Sequence, residues 1–444
     1  MTAYWCRLAW LGGERAEPGV LVHVQDGRIA TVETGVTEPP RGVRPLEGLT
    51  LPGLANAHSH AFQRALRGRT QHGSGSFWTW REQMYRAAER LDPERYHALA
   101  RATYAEMALA GVTTVGEFHY VHHDRGGARY DEPNEMGRVL MAAAAEAGVR
   151  ITLLDSCYLH GGIGEPPDGA QLRFSDGSAE AWAERVEELG EEEDSARVGA
   201  AIHSMRAVDP EAAAAVAGWA RERDRPLHAH VSEQPAENAA CLEAYGRTPT
   251  ALLAHAGALE ANFTAVHATH LDDADVALLG GAGATCCVCP TTERDLADGI
   301  GAMRRIVDAG ASLSLGSDSH AVIDLFEEAR AVELDERLAS GERGHHGAGA
   351  LLRAAAEDGH ASLGWPDAGR IEPGARADLV TVSLEEVRLA GTGPENALDA
   401  VVFAATAADV RHVLVDGRDV VVDGRHASVD TAAELHEAVL RVIE

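Results

Sequence analysis

Residues 49–60 read Leu49-Thr50-Leu51-Pro52-Gly53-Leu54-Ala55-Asn56-Ala57-His58-Ser59-His60. The apolar run has strand character and ends in two histidines one residue apart. Side chains two apart on a strand share a face, so His58 and His60 converge at the strand's C-terminal end. That is where an α/β barrel keeps its chemistry. Two neutral imidazoles so placed supply half of a catalytic zinc site. The plainer alternative is a hydrogen-bonded histidine pair without metal, and the rest of the chain has to decide between them.

From about residue 54 to 368 the pattern is strand, loop, helix. Strands are expected at Thr113–Glu117, Ile151–Leu154, Gly199–Ile202, Pro226–His230, Thr264–His267, Thr285–Cys289 and Ser312–Leu315, with alanine-rich helical stretches separating several of them. With the strand before His58 they number eight, as a (β/α)8 barrel needs. Outside this span the chain alternates short β-like runs, Leu21–Val24 and Arg28–Val32, with Asp-Gly and Pro-Pro turns. The C-terminal part repeats that style in Val413-Leu414-Val415-Asp416-Gly417-Arg418 and Val420-Val421-Val422-Asp423-Gly424-Arg425. The expected architecture is α/β: a TIM-type barrel over 54–368 and a small β-sandwich domain built by both termini, 1–53 with 369–444. The acidic run at 187–194 reads as a solvated helix end or loop.

The 444 residues carry a formal charge of −30, which argues against nucleic acid or an anionic membrane as partner. An anionic substrate would need local arginines to work against that field. All 39 basic residues are arginine. Schiff-base chemistry on lysine and a carboxylated lysine bridging two metals are therefore both excluded. The six cysteines are few for so long a chain, and no cationic, apolar leader opens it, so a cytoplasmic protein with reduced thiols is expected. Cys286, Cys287 and Cys289 lack the paired spacing of structural zinc and read as buried strand residues.

Four predicted strands end in residues suited to metal-assisted hydrolysis. They are His58 and His60, then His228-Ala229-His230 with Glu233 three residues on, then His267, then Gly316-Ser317-Asp318-Ser319-His320. A zinc ion held by imidazoles and a carboxylate lowers the pKa of its water to about 7. His267 and Asp318 are placed to accept or orient that water's proton, and Glu233 to carry one to a nitrogen leaving group. His228 and His230 share a strand face, so periodicity leaves the choice of ligand between them open.

The chain resembles the formimidoylglutamate deiminases of the amidohydrolase superfamily. The resemblance rests on Asn56-Ala57-His58-Ser59-His60-Ala61-Phe62-Gln63-Arg64, Ser76-Phe77-Trp78-Thr79-Trp80-Arg81-Glu82, Glu117-Phe118-His119-Tyr120-Val121-His122-His123-Asp124, His203-Ser204-Met205-Arg206, Val266-His267-Ala268-Thr269-His270 and the 316–320 segment. It implies a metal-dependent enzyme that hydrolyses N-formimino-L-glutamate to N-formyl-L-glutamate and ammonia in histidine degradation. One divalent ion per active site is implied, zinc ahead of iron or manganese. The implied ligands are His58, His60, His230 and Asp318, since the family pattern sets a glutamate three residues after its ligand and so selects His230. Glu233, His267 and Asp318 become the catalytic set. The substrate is a small molecule with two carboxylates. Arg206 and His203 resemble the α-carboxylate site, and Arg81 and Tyr120, with Gln63 nearby, the side-chain carboxylate site. Without the resemblance the better reading of Arg81 is a surface arginine stacked on Trp78 or Trp80. His119, His122, His123, His270 and His320 read as structural. Cys289-Pro290-Thr291-Thr292-Glu293 departs from the family's serine-containing loop. The competing readings are an amidohydrolase-superfamily deaminase acting on a nucleobase or related aromatic amine, and a barrel without activity. A homodimer is compatible with the sequence.

Overall fold

A computed structural model describes residues 2–71, 75, 77–190 and 194–444. Ser76 of the aromatic stretch and residues 191–193 of the acidic run therefore lie outside the described residues. Before the barrel come β1 (Thr2–Ala9), β2 (Glu17–Gln25), β3 (Arg28–Glu33) and β4 (Arg44–Pro52). The barrel strands are β5 (Leu54–Ser59), β6 (Val112–His119), β7 (Arg150–Cys157), β8 (Ala196–Ile202), β9 (Leu227–Val231), β10 (Phe263–His267), β11 (Thr285–Val288) and β12 (Ser312–Leu315). After it come β13 (Leu379–Val382), β14 (Val410–Val415), β15 (Arg418–Val422) and β16 (Arg425–His426).

The run 49–60, read above as one strand, is two. Leu49 to Pro52 end β4, paired antiparallel with β13, whereas β5 begins the barrel beside β6. Gly53 joins them at a point with no room for a side chain. A Cβ there would lie 2.3 Å from Thr113 Oγ1 and 2.7 Å from Asp378 Cβ, while the Gly53 N–H donates to the Asp378 carbonyl at 3.0 Å. Hydropathy cannot show this break, because both sides of it are buried.

β5 to β12 form one parallel sheet in sequence order. Its first and last strands meet where Ser59 bridges Asp318. There the Asp318 N–H donates to the His58 carbonyl at 3.0 Å and the His60 N–H to the Asp318 carbonyl at 3.2 Å. Closing the barrel thus draws the residues after β12 to the histidines of β5. Strands buried on both faces read as continuous apolar runs, which is why all eight were legible. Cys289, expected inside its strand, falls just past β11. Pro290 cannot donate to a ladder and opens the helix Pro290–Leu296 instead. Cys286 and Cys287 are buried in β11 and unpaired.

The other eight strands run as one continuous sheet, β16-β15-β14-β13-β4-β1-β2-β3. Tyr4, Cys6, Val22, Ile29, Leu379 and Leu414 on one face gather into a small core of their own. Leu49, Leu51, Val380 and Val413 on the other join the barrel's core. The helix Ala179–Glu187 ends as the acidic run begins. No helix among the described residues is long and apolar enough to cross a membrane.

Candidate active site

At the C-terminal ends of the strands the side chains named from the sequence draw together. Asp318 Oδ1 lies 3.3 Å from His58 Nε2 and 3.4 Å from His60 Nε2. His230 Nε2 lies 3.1 Å from His58 Nε2. Bonds of about 2.1 Å meeting at 90–109° place ligand atoms about 3.0–3.4 Å apart, so this spacing suits one divalent ion. Their tautomers agree. His60 Nδ1–H donates to the Phe118 carbonyl at 2.9 Å and His230 Nδ1–H to the His203 carbonyl at 2.8 Å, leaving each Nε2 lone pair facing the cluster. His228 is turned away from it, Nε2 on the Ser362 carbonyl at 3.0 Å.

Electrostatics point the same way. Burial pushes His60 down to about 3, so its imidazole is neutral, as a ligand must be. Burial alone would raise Asp318, but its hydrogen bond and charge contact with His58, and His267 beside it, hold the carboxyl well below the usual range. Gly316 makes the approach feasible, since a Cβ there would lie 2.7 Å from that of His58 and 2.9 Å from Cys289 Sγ.

His267 stands among three carboxylates. Its Nε2 is 3.8 Å from Glu233 and 3.7 Å from Asp318 Oδ2, and its Nδ1 is 3.3 Å from Glu293. Burial disfavours its charge, yet these neighbours raise it well above the ordinary histidine value. Burial likewise raises Glu233. Glu293, which also accepts from the Cys289 N–H at 2.9 Å, was not foreseen. It comes from the loop noted above as departing from the family pattern.

A cavity of about 660 Å³, mouth included, opens onto these groups. Gln63, Arg81, Tyr120, His203 and Arg206, all expected to bind substrate, line it. Gln63 Nε2 donates to Tyr120 Oη at 3.0 Å. The Tyr120 ring is 5.1 Å from that of His60 and 5.4 Å from that of His203. Arg81 stacks 4.5 Å over Trp78, and its guanidinium is 5.5 Å from the Tyr85 ring centre. The stacking and the cavity-lining position coexist. Arg206 lies 5.8 Å over Phe77, with its buried Nε unpartnered. Phe77, Trp80, Met84 and Tyr85 also line the cavity, unforeseen. Their helix, Phe77–Arg90, presents 77, 80, 81, 84 and 85 on one face, and that three-to-four spacing was the signal available.

The remaining histidines have structural partners. His122 Nε2 donates to the Ser156 carbonyl at 2.8 Å, His270 bonds the Asp298 carbonyl at 2.7 Å, and His320 bonds Ser317 and Ser59. His119, His122 and Asp155 come close enough to suggest a second cation site. Arg185 already holds Asp155 by two bonds of 2.9 and 2.7 Å, and its positive charge opposes one. His123 pairs with Asp176 at 3.1 Å.

Comparison with known proteins agrees with this architecture. The amidohydrolase family model matches residues 49–420. A formimidoylglutamate deiminase of Pseudomonas aeruginosa is 39% identical over 412 residues, 90% of each chain. An 8-oxoguanine deaminase of the same species is 31% identical over 425 residues, 92% of this chain and 91% of that one. The crystal structure of an amidohydrolase from Brucella melitensis superposes over the whole of both chains with a TM-score of 0.91 at 32% identity. The chain is an enzyme that belongs to the amidohydrolase family.

Proposed function

We propose that this enzyme hydrolyses N-formimino-L-glutamate to N-formyl-L-glutamate and ammonia, as a step of histidine degradation in the cytoplasm. The observation that carries the reading is the polarity of the cavity. At its floor Glu233, Asp318 and Glu293 surround His267, a setting that suits a cationic formimino group. Arg81 and Arg206 line the same cavity and make no salt bridge within 4 Å among the described residues, although Glu237 and Glu233 act on Arg206 at longer range, a setting that suits carboxylates. The 39% identical relative is named for this activity.

His58, His60, His230 and Asp318 would hold one divalent ion, zinc by preference. When bound, such an ion brings the pKa of a water to about 7 and so supplies the nucleophile at neutral pH. Asp318, whose Oδ2 faces His267, would accept the proton that the attacking water loses. His267 donates from Nε2 to the oxygen developing on the formimino carbon. Glu233 delivers a proton to the amino group, which departs as ammonia because expulsion as an amide anion is prohibitively costly.

The proximities favour a regrouping of the carboxylate contacts expected from the sequence. Gln63, Tyr120 and His203 adjoin the ligand histidines, as the α-carboxylate beside the formimino nitrogen requires. Arg81 and Arg206, set against Trp78 and Phe77, suit the distal carboxylate together. We keep 54–368 as the catalytic unit and 1–53 with 369–444 as the small domain, the junction at Gly53 supporting the first boundary.

A second reading, deamination of a nucleobase or related aromatic amine, draws on the rings of Phe77, Trp80, Tyr85 and Tyr158 in the cavity and on the 8-oxoguanine deaminase relative. It leaves the two arginines without purpose. Ammonia release from formiminoglutamate, 8-oxoguanine and adenosine derivatives separates the two. Turnover of formiminoglutamate at least 10³-fold more efficient is expected, and turnover confined to the aromatic amines would overturn the proposal.

A further inference from the structure

Tyr85 and Tyr158 line the cavity beside Gly161 and the two arginines, and both are held by one side chain. Gln171, only 7% exposed, donates from Nε2 to Tyr158 Oη at 2.8 Å and to Tyr85 Oη at 3.0 Å, with the Gly161 carbonyl a longer third acceptor at 3.3 Å. The orientation of its amide is fixed independently, because Oε1 accepts the Asp168 N–H at 3.1 Å. The backbone donor there needs an oxygen, so the nitrogen must face the tyrosines. Gly161 keeps the arrangement close, since a Cβ there would lie 2.7 Å from Gln171 Oε1.

An amide NH₂ is a donor only, so each phenol oxygen that shares its two hydrogens with the Gly161 carbonyl acts as an acceptor toward Gln171. Neither hydroxyl hydrogen is spent on that contact. Among the described residues no carbonyl or carboxylate accepts from either one. A bond between the two hydroxyls would use a single hydrogen and leave the other facing the cavity. Tyr158 is buried and Tyr85 half-buried, a hydroxyl donor shielded from water is costly to leave without an acceptor, and Arg81 and Arg206, which make no salt bridge among the described residues, line the same cavity.

We propose that Tyr85 and Tyr158, oriented by Gln171, donate to the distal carboxylate of the substrate and make the enzyme selective for dicarboxylates. Arginine supplies the charge, and the tyrosines supply directed donors that a flexible guanidinium pair does not. Gln171 is a positioning residue in this scheme and does not touch the substrate. The inference rests on the function proposed above for the chemistry of the ligand.

The test uses the metal-loaded enzyme and Tyr158→Phe, Tyr85→Phe and Gln171→Leu, with thermal melting to confirm that each is folded. Two substrates are compared, N-formimino-L-glutamate and the formimino derivative of 2-aminobutyrate, which lacks the distal carboxylate. A hydrogen bond to a charged group corresponds to about 10- to 100-fold. Tyr158→Phe is expected to lower kcat/KM for the dicarboxylate by that factor, chiefly through KM, and to change the other substrate less than threefold. Gln171→Leu should follow the tyrosine variants and Gln171→Glu, which loses the donor, should not rescue it. Equal losses on both substrates, or none, would overturn the proposal. Should the wild-type enzyme turn over neither, the proposed function fails instead, and titration with glutarate decides this inference alone. A Kd raised tenfold by Tyr158→Phe supports it, and an unchanged Kd overturns it.

Discussion

His267 has a φ of 68°, Asp318 of 44°, His320 of 59° and Ser232 of 51°, all in the left-handed region that side chains other than glycine or asparagine rarely adopt. Such strain persists where the surroundings fix it, and here it gathers at the ends of β9, β10 and β12, beside the cluster of His58, His60, His230 and Asp318. The turn at Ser232 precedes Glu233, whose N–H is accepted by Glu237 at 3.3 Å. Glu233 is thereby aimed at the cavity while staying only 6% exposed. In the proposed mechanism, burial that raises its pKa keeps a proton available for the leaving nitrogen. Glu233→Gln preserves shape and hydrogen bonding but carries no transferable proton. Its kcat should fall by about 10² to 10⁴ with metal content unchanged by elemental analysis. A near-normal kcat would remove Glu233 from the mechanism.

At the scale of elements, what was legible and what was not divide on the kind of signal. Eight barrel strands and the histidines at their ends announce themselves through apolar runs that stop at polar residues. The split of 49–60 between two sheets does not, because β4 and β5 are equally apolar and only the crowding around Gly53 separates them. Glu293 and Gln171 were missed for a similar reason: each acts through a neighbour, His267 or the tyrosines, that is distant in sequence. Tertiary pairing also joins the two sheets. Arg150, at the start of β7, is buried and ion-paired with Asp378 just before β13, and reaches Asp416 at 3.2 Å. Asp378 also accepts the Asp416 N–H at 2.9 Å. Removing one partner of such a pair leaves a buried charge unmatched, at about 3–5 kcal/mol. Arg150→Met should lower unfolding free energy by that amount, measured by urea denaturation, whereas Arg150→Met with Asp378→Asn should lose less. A loss under about 1 kcal/mol for the single variant would show that the junction does not depend on the pair.

Over the whole molecule the buried titratable groups set how stability varies with pH. Burial pushes His60 down to about 3 and His119, His228 and His360 down to about 4, and it lowers His58, His122, His203, His230 and His320 as well. Unfolded histidines titrate near about 6.5. Below that value the unfolded chain binds protons that the folded chain refuses, so stability rises with pH and is lost on acidification. A shift from 6.5 to about 4 amounts to roughly 3 kcal/mol per histidine once pH falls below both values. Asp176 and Asp378, lowered by their basic partners against the effect of burial, add losses below about pH 4. Opposing them, burial raises Glu117 and Glu237 to about 7, and carboxylates raise His267, so these groups favour the fold at lower pH. Burial also raises Glu233, Glu328, Asp275, Asp324, Asp335, Asp358 and Asp298, the last to about 9, so the lowered histidines prevail only below about pH 6.5, where the unfolded chain takes up their protons. Typical stabilities of about 5–15 kcal/mol are then exhausted by a few protonations. The urea midpoint of chelator-treated protein should fall from pH 6.5 to 5, with unfolding before pH 4. His228→Asn, which keeps a polar group near the Ser362 carbonyl without a titrating ring, should flatten that slope by about one proton. A midpoint that holds level or climbs from pH 6.5 to 5 would mean that the raised carboxyls govern the molecule instead.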